Sequence, residues 1–135
     1  MRAARILETA LYVRDVAEAI EFYQGTMGLE PVGKVSERNA FFRCGEGGIL
    51  LLFKAEETLK PPPAGHLPVP AHGTSGPGHV CFAASREEME GWRSHLARHG
   101  VAIEAEFDWP NGAHSIYFRD PSGNSLEIAE PKLWN

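Results

Sequence analysis

Three residues of metal-ligand type stand in places where a charged or titrating side chain needs a reason: Glu8, His79 and Glu127. Each interrupts an otherwise apolar, strand-like run, respectively ILETALYV, GHVCFA and NSLEIAE. An unsatisfied carboxylate on a half-buried strand costs on the order of several kcal/mol, and glutamate is almost never fully buried without a partner. One divalent cation held by Glu8, His79 and Glu127 would satisfy all three together. Taken singly, each residue also admits an ordinary reading. Glu8 fits an exposed strand end, His79 a ring bonded to backbone, and Glu127 a pair with Arg43 or Arg119.

The elements that must position these residues can be read in order. Residues 6–13 have the apolar and aromatic bulk of a strand. Asp15, with Glu18 three residues on, is an N-cap, and Val16, Ile20, Tyr23 and Met27 recur at helical spacing before Gly28 ends the run. Short strands are expected at 30–36, 39–44 and 48–55. Residues 56–78 carry Pro61, Pro62, Pro63, Pro68, Pro70 and Pro77, which predicts a linker or binding loop without helix or interior strand. The pattern then restarts with a strand at 78–84. A helix follows, capped by Ser85 with Glu88 at capping-box spacing and striped by Met89, Trp92 and Leu96. Gly100 stops it, and strands are expected at 102–107, 114–119 and 124–129.

Each half therefore reads β-α-β-β-β: a first module at 1–55, a linker at 56–76 and a second module at 77–135. The repeat is visible residue by residue. FFRCGEGGILLL (41–52) lies over YFRDPSGNSLEI (117–128) without a gap, matching Phe42 to Phe118, Arg43 to Arg119, Gly47 to Gly123 and Leu50 to Leu126. If the halves pack about a pseudo-twofold axis, Glu8 falls opposite His79, allowing one residue of slip, and Leu51 opposite Glu127.

Composition narrows the function classes. The 135 residues are 43% hydrophobic and 23% charged, ordinary for a globular protein that buries a core without disulfides. Two cysteines, Cys44 and Cys81, show no CxxC spacing, which favours a reducing, cytoplasmic setting and disfavours a cysteine-rich zinc site. A net charge of −5 without a basic stretch argues against nucleic acid. No apolar run is long enough to span a membrane, and MRAARILETALYV reads as mature sequence and not as a signal peptide. The expected partner is a small-molecule substrate.

With these residues in view, the chain resembles the vicinal oxygen chelate superfamily, which includes glyoxalase, fosfomycin-resistance enzymes, bleomycin-binding proteins and extradiol dioxygenases. The resemblance is carried by RILETALYVRDVAEAIEFYQGTMGLEPV in the first half, and by GPGHVCFA and SIYFRDPSGNSLEIAE in the second. It implies an α+β fold of two βαβββ modules forming a curved, mixed-sheet, glyoxalase-like cup with helices on the outer face. It also places the family's ligand positions on Glu8, His79 and Glu127. Many relatives have histidine where this chain has Glu8, and glyoxalase-type enzymes carry a fourth ligand where it has Leu51. Leucine neither coordinates nor moves a proton, so the base of a glyoxalase-type isomerisation is missing from its usual place.

The resemblance implies an enzyme dependent on a divalent metal (Mn, Fe, Ni, Zn or Mg, left open). It would act as a lyase, isomerase or transferase on a small substrate chelated through adjacent oxygens. The alternatives are a metal-independent, ligand-sequestering protein of the bleomycin-resistance kind and a fosfomycin-modifying thiol transferase. Relatives of this length suggest a homodimer, with module swapping between its copies left open. Strand alternation puts Ala10 and Tyr12 with Glu8, Cys81 with His79, and Ser115, Tyr117 and Arg119 on one face. Ser115, Tyr117, Arg119 and Tyr12 are expected to meet substrate, with Phe41 and Phe53 as apolar wall. His72, on the glycine-rich loop before His79, is expected to serve as an acid/base beside Glu127 or as a cap on the site. His114 is a weaker candidate of the same kind, Trp92 and Trp134 are expected to pack in core and tail, and Trp109 stays open.

Overall fold

The computed structural model describes residues 1–135, which divide into two compact units, Met1–Gly76 and Pro77–Asn135. The first contains β1 (Glu8–Tyr12), α1 (Val16–Ile20), β2 (Glu30–Val32), β3 (Asn39–Cys44), β4 (Gly48–Phe53) and a single turn, α2 (Ala55–Thr58). Its sheet runs β1-β4-β3-β2, with β1 parallel to β4 and the other pairs antiparallel. The second contains β5 (His79–Ala83), α3 (Met89–Arg98), β6 (Ala105–Asp108), β7 (His114–Arg119) and β8 (Ser125–Ala129). Its sheet repeats the plan as β5-β8-β7-β6, again with one parallel pair, β5 with β8. This is the two-module α+β plan, β-α-β-β-β in each half, that the sequence implies.

Local chemistry explains the helices. The Asp15 carboxylate accepts from the Glu18 backbone N–H at 2.9 Å, meeting one of the orphan donors of the first turn. Beyond Ile20 the winding loosens into a π-helical stretch, Glu21–Thr26, that buries Phe22, Tyr23 and Thr26. Gly28, at φ +68°, takes the left-handed turn that ends it. In the second unit Ser85 and Glu88 form the reciprocal capping box, after which α3 buries Met89 and Leu96.

Each sheet buries one face. In the first unit Leu11, Ala40, Phe42, Leu50 and Leu52 are buried, with Tyr23 against Phe42 at 6.2 Å between ring centres. In the second the core is Ile116, Phe118, Leu126 and Ile128. The internal register is the same in both. Glu8 pairs with Ile49 and Phe41 with Leu51; His79 pairs with Ser125 and Tyr117 with Glu127. Glu8 and His79 are thus equivalent without any slip, as are Leu51 and Glu127.

Several expected elements are shorter. The first strand starts at Glu8, leaving Ile6 and Leu7 exposed. The second stops at Val32, where Gly33 turns to φ +72°. The sixth begins only at Ala105. The segment after 56 was expected to hold no helix, yet α2 covers Ala55–Thr58, because the prolines that forbid a helix begin only at Pro61. That segment falls within the first unit, and the His72 N–H donates to the Thr58 carbonyl at 3.0 Å. Trp134, expected to pack, is 88% exposed in the short 3-10 turn Pro131–Trp134.

The DPSGN turn between β7 and β8 does more than reverse the chain. Asp120 Oδ1 accepts the Ser122 and Asn124 N–H groups, and Asn124 Nδ2 donates to Asp120 Oδ2 at 2.8 Å. Asn124 Oδ1 then accepts the Gly78 N–H at 2.7 Å, fixing the chain one residue before His79.

Candidate functional site

The other face of the second sheet gathers Glu127 from β8, His79 and Cys81 from β5, and Ser115 and Tyr117 from β7. Glu127 is 4% exposed, and neither lysine nor arginine pairs with it. Its Oε1 accepts the Ser115 hydroxyl at 2.6 Å, and that hydroxyl oxygen accepts the Trp109 indole N–H at 2.8 Å. Burial, with the Glu127 carboxylate beside it, pushes the Cys81 thiol up to about 12. The Tyr117 phenol rises to about 12 as well, through burial and its hydrogen bond to Glu127. Both groups therefore face the carboxylate in their protonated, donating forms at neutral pH.

Glu127 Oε2 lies 3.4 Å from His79 Nε2. The other ring nitrogen, Nδ1, is 2.9 Å from the Ser125 carbonyl oxygen, which can only accept, so Nδ1 carries a hydrogen. In the neutral ring Nε2 then bears a lone pair aimed at a carboxylate lone pair. Two acceptors face each other, and a proton or a metal cation is what reconciles them. A backbone carbonyl fixing the tautomer of a ligating histidine is the usual outer-shell arrangement of metal sites. The donor set, one imidazole nitrogen and one buried carboxylate oxygen, suits a divalent ion of the borderline class.

Beside this pair lies a cavity of about 380 Å³ lined by Trp109, Pro110, Tyr117, Glu127, Leu133 and Trp134, among others. Tyr117 stacks between Phe107 (5.6 Å, 14°) and His79 (6.4 Å, 22°), making a flat aromatic wall.

The corresponding face of the first sheet carries Glu8, Ala10 and Tyr12 on β1, Ile49, Leu51 and Phe53 on β4, and Phe41 on β3. A cavity of about 510 Å³ opens there, with Glu8, Leu51, Phe41, Phe53 and His72 in its wall. Glu8 is exposed. His79 and Glu127 thus come together within one unit, while Glu8 stands in the other. Neither unit alone assembles three His, Cys, Asp or Glu side chains into a metal-holding group.

The remaining expectations are placed as follows. Tyr117 lines a cavity. Ser115 is wholly buried, with its hydroxyl engaged by Glu127 and Trp109, so it holds the carboxylate. Arg119 grips Glu104 through Nε–Oε2 at 2.6 Å and Nη2–Oε1 at 3.1 Å, and its placement gives the substrate expectation no support. Arg43 likewise lies nearest Glu30, at 3.9 Å. His114 projects from the opposite face of β7 between Asp108 (2.8 Å) and Glu106 (2.6 Å), alongside Arg93, in a network on the other side of the sheet from Glu127. Tyr12 O–H and His72 Nδ1 meet at 2.6 Å. Sequence reasoning missed the role of Trp109, whose partner lies across the β6–β7 connection.

The chain matches the model of the Glyoxalase/Bleomycin resistance protein/Dioxygenase superfamily over residues 5–128. It belongs to that superfamily. Among solved structures it is similar to a lactoylglutathione lyase from Agrobacterium tumefaciens, with 40% identity and a TM-score of 0.93, covering 100% of this chain and 99% of that one. It is also similar to a possible glyoxalase from Bacillus cereus at 27% identity and TM-score 0.66, covering 93% and 98% of the two chains. A glyoxalase/bleomycin resistance protein/dioxygenase from Nocardioides matches at 25% identity and TM-score 0.73, covering 96% and 85%. No helix of this superfamily member is long and apolar enough to cross a membrane.

Within the superfamily site, Ser115 is the test of how tightly Glu127 must be held. Ser115→Ala removes one donor without filling space. Where the carboxylate so held ligates a metal, outer-shell losses of this kind cost about 10- to 100-fold in metal affinity. A metal titration with circular dichroism alongside checks this: the expected result is weaker binding with the native spectrum retained, and unchanged affinity removes Ser115 from the site.

Proposed function

We propose that this superfamily member is a divalent-metal-dependent enzyme of the lyase or isomerase type, acting on a small substrate that presents two adjacent oxygens. Glu8, His79 and Glu127 are its protein ligands. The observation that carries the reading is the Glu127–His79 pair: a buried carboxylate without a cationic partner, facing an imidazole nitrogen whose lone pair points at it. A divalent cation bound there supplies Lewis-acid stabilisation of negative charge on the substrate oxygens.

The chain's own residues do the rest. Ser115 and Trp109 hold Glu127 in place; the Ser125 carbonyl holds the His79 ring. Tyr117, Trp109 and Leu133 offer an apolar wall against which a substituent excludes water. The similarity to a lactoylglutathione lyase directs the first substrate to try: the hemithioacetal of methylglyoxal and glutathione, the isomer of that thioester. Three protein ligands leave coordination positions open for a substrate with two oxygens.

Elemental analysis of the purified protein, beside Glu8→Ala and His79→Ala, tests the reading. One divalent ion per site in the wild type and its loss in both variants is expected. Full occupancy in both variants, or tight binding of a bulky apolar antibiotic by a protein that takes up no metal, overturns it in favour of a sequestering protein.

A further inference from the structure

Two histidines of the second unit take no part in the site on its sheet, and their spacing is that of a chelating pair. His95 lies in the last turn of α3 and His99 at its C-cap, four residues on, so both fall on one side of the helix. α3 turns Met89 and Leu96 into the core, while Trp92 and His95 are half-buried and His99 is exposed. The two imidazole rings are 4.3 Å apart between centres, and Trp92 meets His95 edge-on at 5.6 Å. Imidazole nitrogens bind borderline divalent ions at about 2.0–2.1 Å, so two rings at right angles about one ion have centres roughly 4.5 Å apart. The observed separation needs little adjustment to match it.

His99 is held in a defined state. Its backbone N–H is shared between the His95 and Leu96 carbonyls at 3.2 and 3.1 Å, and Gly100, at φ +69°, turns the chain away directly after it. The ring Nδ1 lies 2.8 Å from the His95 carbonyl oxygen, which can only accept, so Nδ1 carries a hydrogen. In the neutral ring Nε2 then bears the lone pair. A backbone carbonyl that fixes the tautomer in this way is the common second partner of a ligating histidine. The closing carbonyls of a helix also form its negative pole, which favours a cation at that end.

We propose that His95 and His99 together bind one divalent transition-metal ion, in a surface site that is separate from the Glu127–His79 pair and does not depend on how that pair is used. The two imidazoles supply two of the ion's positions and water takes the rest, so the ion is held exchangeably. Ligand type sets the preference: Cu²⁺ binds more tightly than Ni²⁺ or Zn²⁺, and Mg²⁺ and Ca²⁺, which call for oxygen ligands, are not taken up. Bridging residues one turn apart, the ion also fastens the end of α3.

The test titrates Cu²⁺ into the full chain carrying His79→Ala, and into the same chain with His95→Ala or His99→Ala added. The expected electron paramagnetic resonance spectrum shows hyperfine structure from two imidazole nitrogens, and Trp92 fluorescence is quenched, a change that Trp92→Phe removes. The helix presents the second imidazole at a high effective concentration, so loss of either ring is expected to weaken binding at least about tenfold and to leave one nitrogen in the spectrum. In the wild type, Zn²⁺ is expected to shift the ring ¹⁵N resonances of His95 and His99 together, a reading that needs no substitution at either. Affinity unchanged in either variant, or separate ions on the two rings with each variant losing just one, overturns the shared site. Ring resonances of the pair that ignore Zn²⁺ overturn it as well.

Discussion

Glu127→Gln is expected to abolish divalent-metal binding and to lower kcat/KM on the hemithioacetal by at least about 10³-fold, while raising the melting temperature of the metal-free protein. The two effects have opposite signs for one physical reason. Loss of the metal's charge stabilisation removes several kcal/mol from the transition state, and about 1.4 kcal/mol is a factor of ten. In the metal-free protein, however, Glu127 Oε2 and His79 Nε2 face each other as acceptors at 3.4 Å. A glutamine amide places an N–H donor there and keeps a carbonyl oxygen for the Ser115 hydroxyl. Replacing a repulsive contact by a hydrogen bond contributes about 1 kcal/mol, or roughly 4 °C for a chain of this length. Calorimetry in the presence of a chelator, paired with elemental analysis, reads both. A lower melting temperature for the variant would mean that the pair is already reconciled by a proton, and metal retained at full occupancy would remove Glu127 from the ligand set.

The second large effect is on stability. Phe42 and Phe118 occupy equivalent positions in the repeat, both fully buried, in separate cores. Truncating either to alanine is expected to cost about 3–5 kcal/mol through lost burial and the cavity left behind. Against a total stability of about 5–15 kcal/mol, that is enough to expose one unit's core to sub-global opening. Hydrogen exchange followed by mass spectrometry should show Phe42→Ala deprotecting β3 and β4, and Phe118→Ala deprotecting β7 and β8. Phe118→Ala should weaken metal binding as well, since β7 and β8 carry Ser115, Tyr117 and Glu127. Equal loss of protection across all eight strands in either variant would show that the chain opens as one cooperative block.

Much of this was legible in the sequence because it repeats. The ungapped match of 41–52 with 117–128 carries over into identical strand registers, which fixes which side chains share a face. The caps at Asp15 and Ser85 were readable for a similar reason: their partners lie three residues away. Features that depend on distant partners were not readable. Ser115 has the chemistry of a substrate contact, but Trp109 folds back from the preceding loop and occupies its oxygen. Arg119 has the charge to meet an anion, but Glu104, 15 residues earlier, takes its guanidinium first. The Tyr12–His72 contact spans 60 residues, so periodicity never brings the two together. Element ends were blurred wherever apolar sequence ran past the last paired residue, as at Ile6 and Leu7.

The matched registers have one more consequence. Equivalent positions hold Ala10 and Cys81, Leu51 and Glu127, Phe41 and Tyr117, so at these positions one lattice of strands carries polar groups in the second half and apolar ones in the first. Chemistry pins the second half, because moving Glu127 disturbs Ser115, Trp109, Cys81 and Tyr117 at once. Leu51, Ile49 and Phe41 answer only to the volume of what sits against them. Changes at Leu51, Ile49 and Phe41 are therefore expected to alter which molecules fit that face without moving Glu127 or the groups around it.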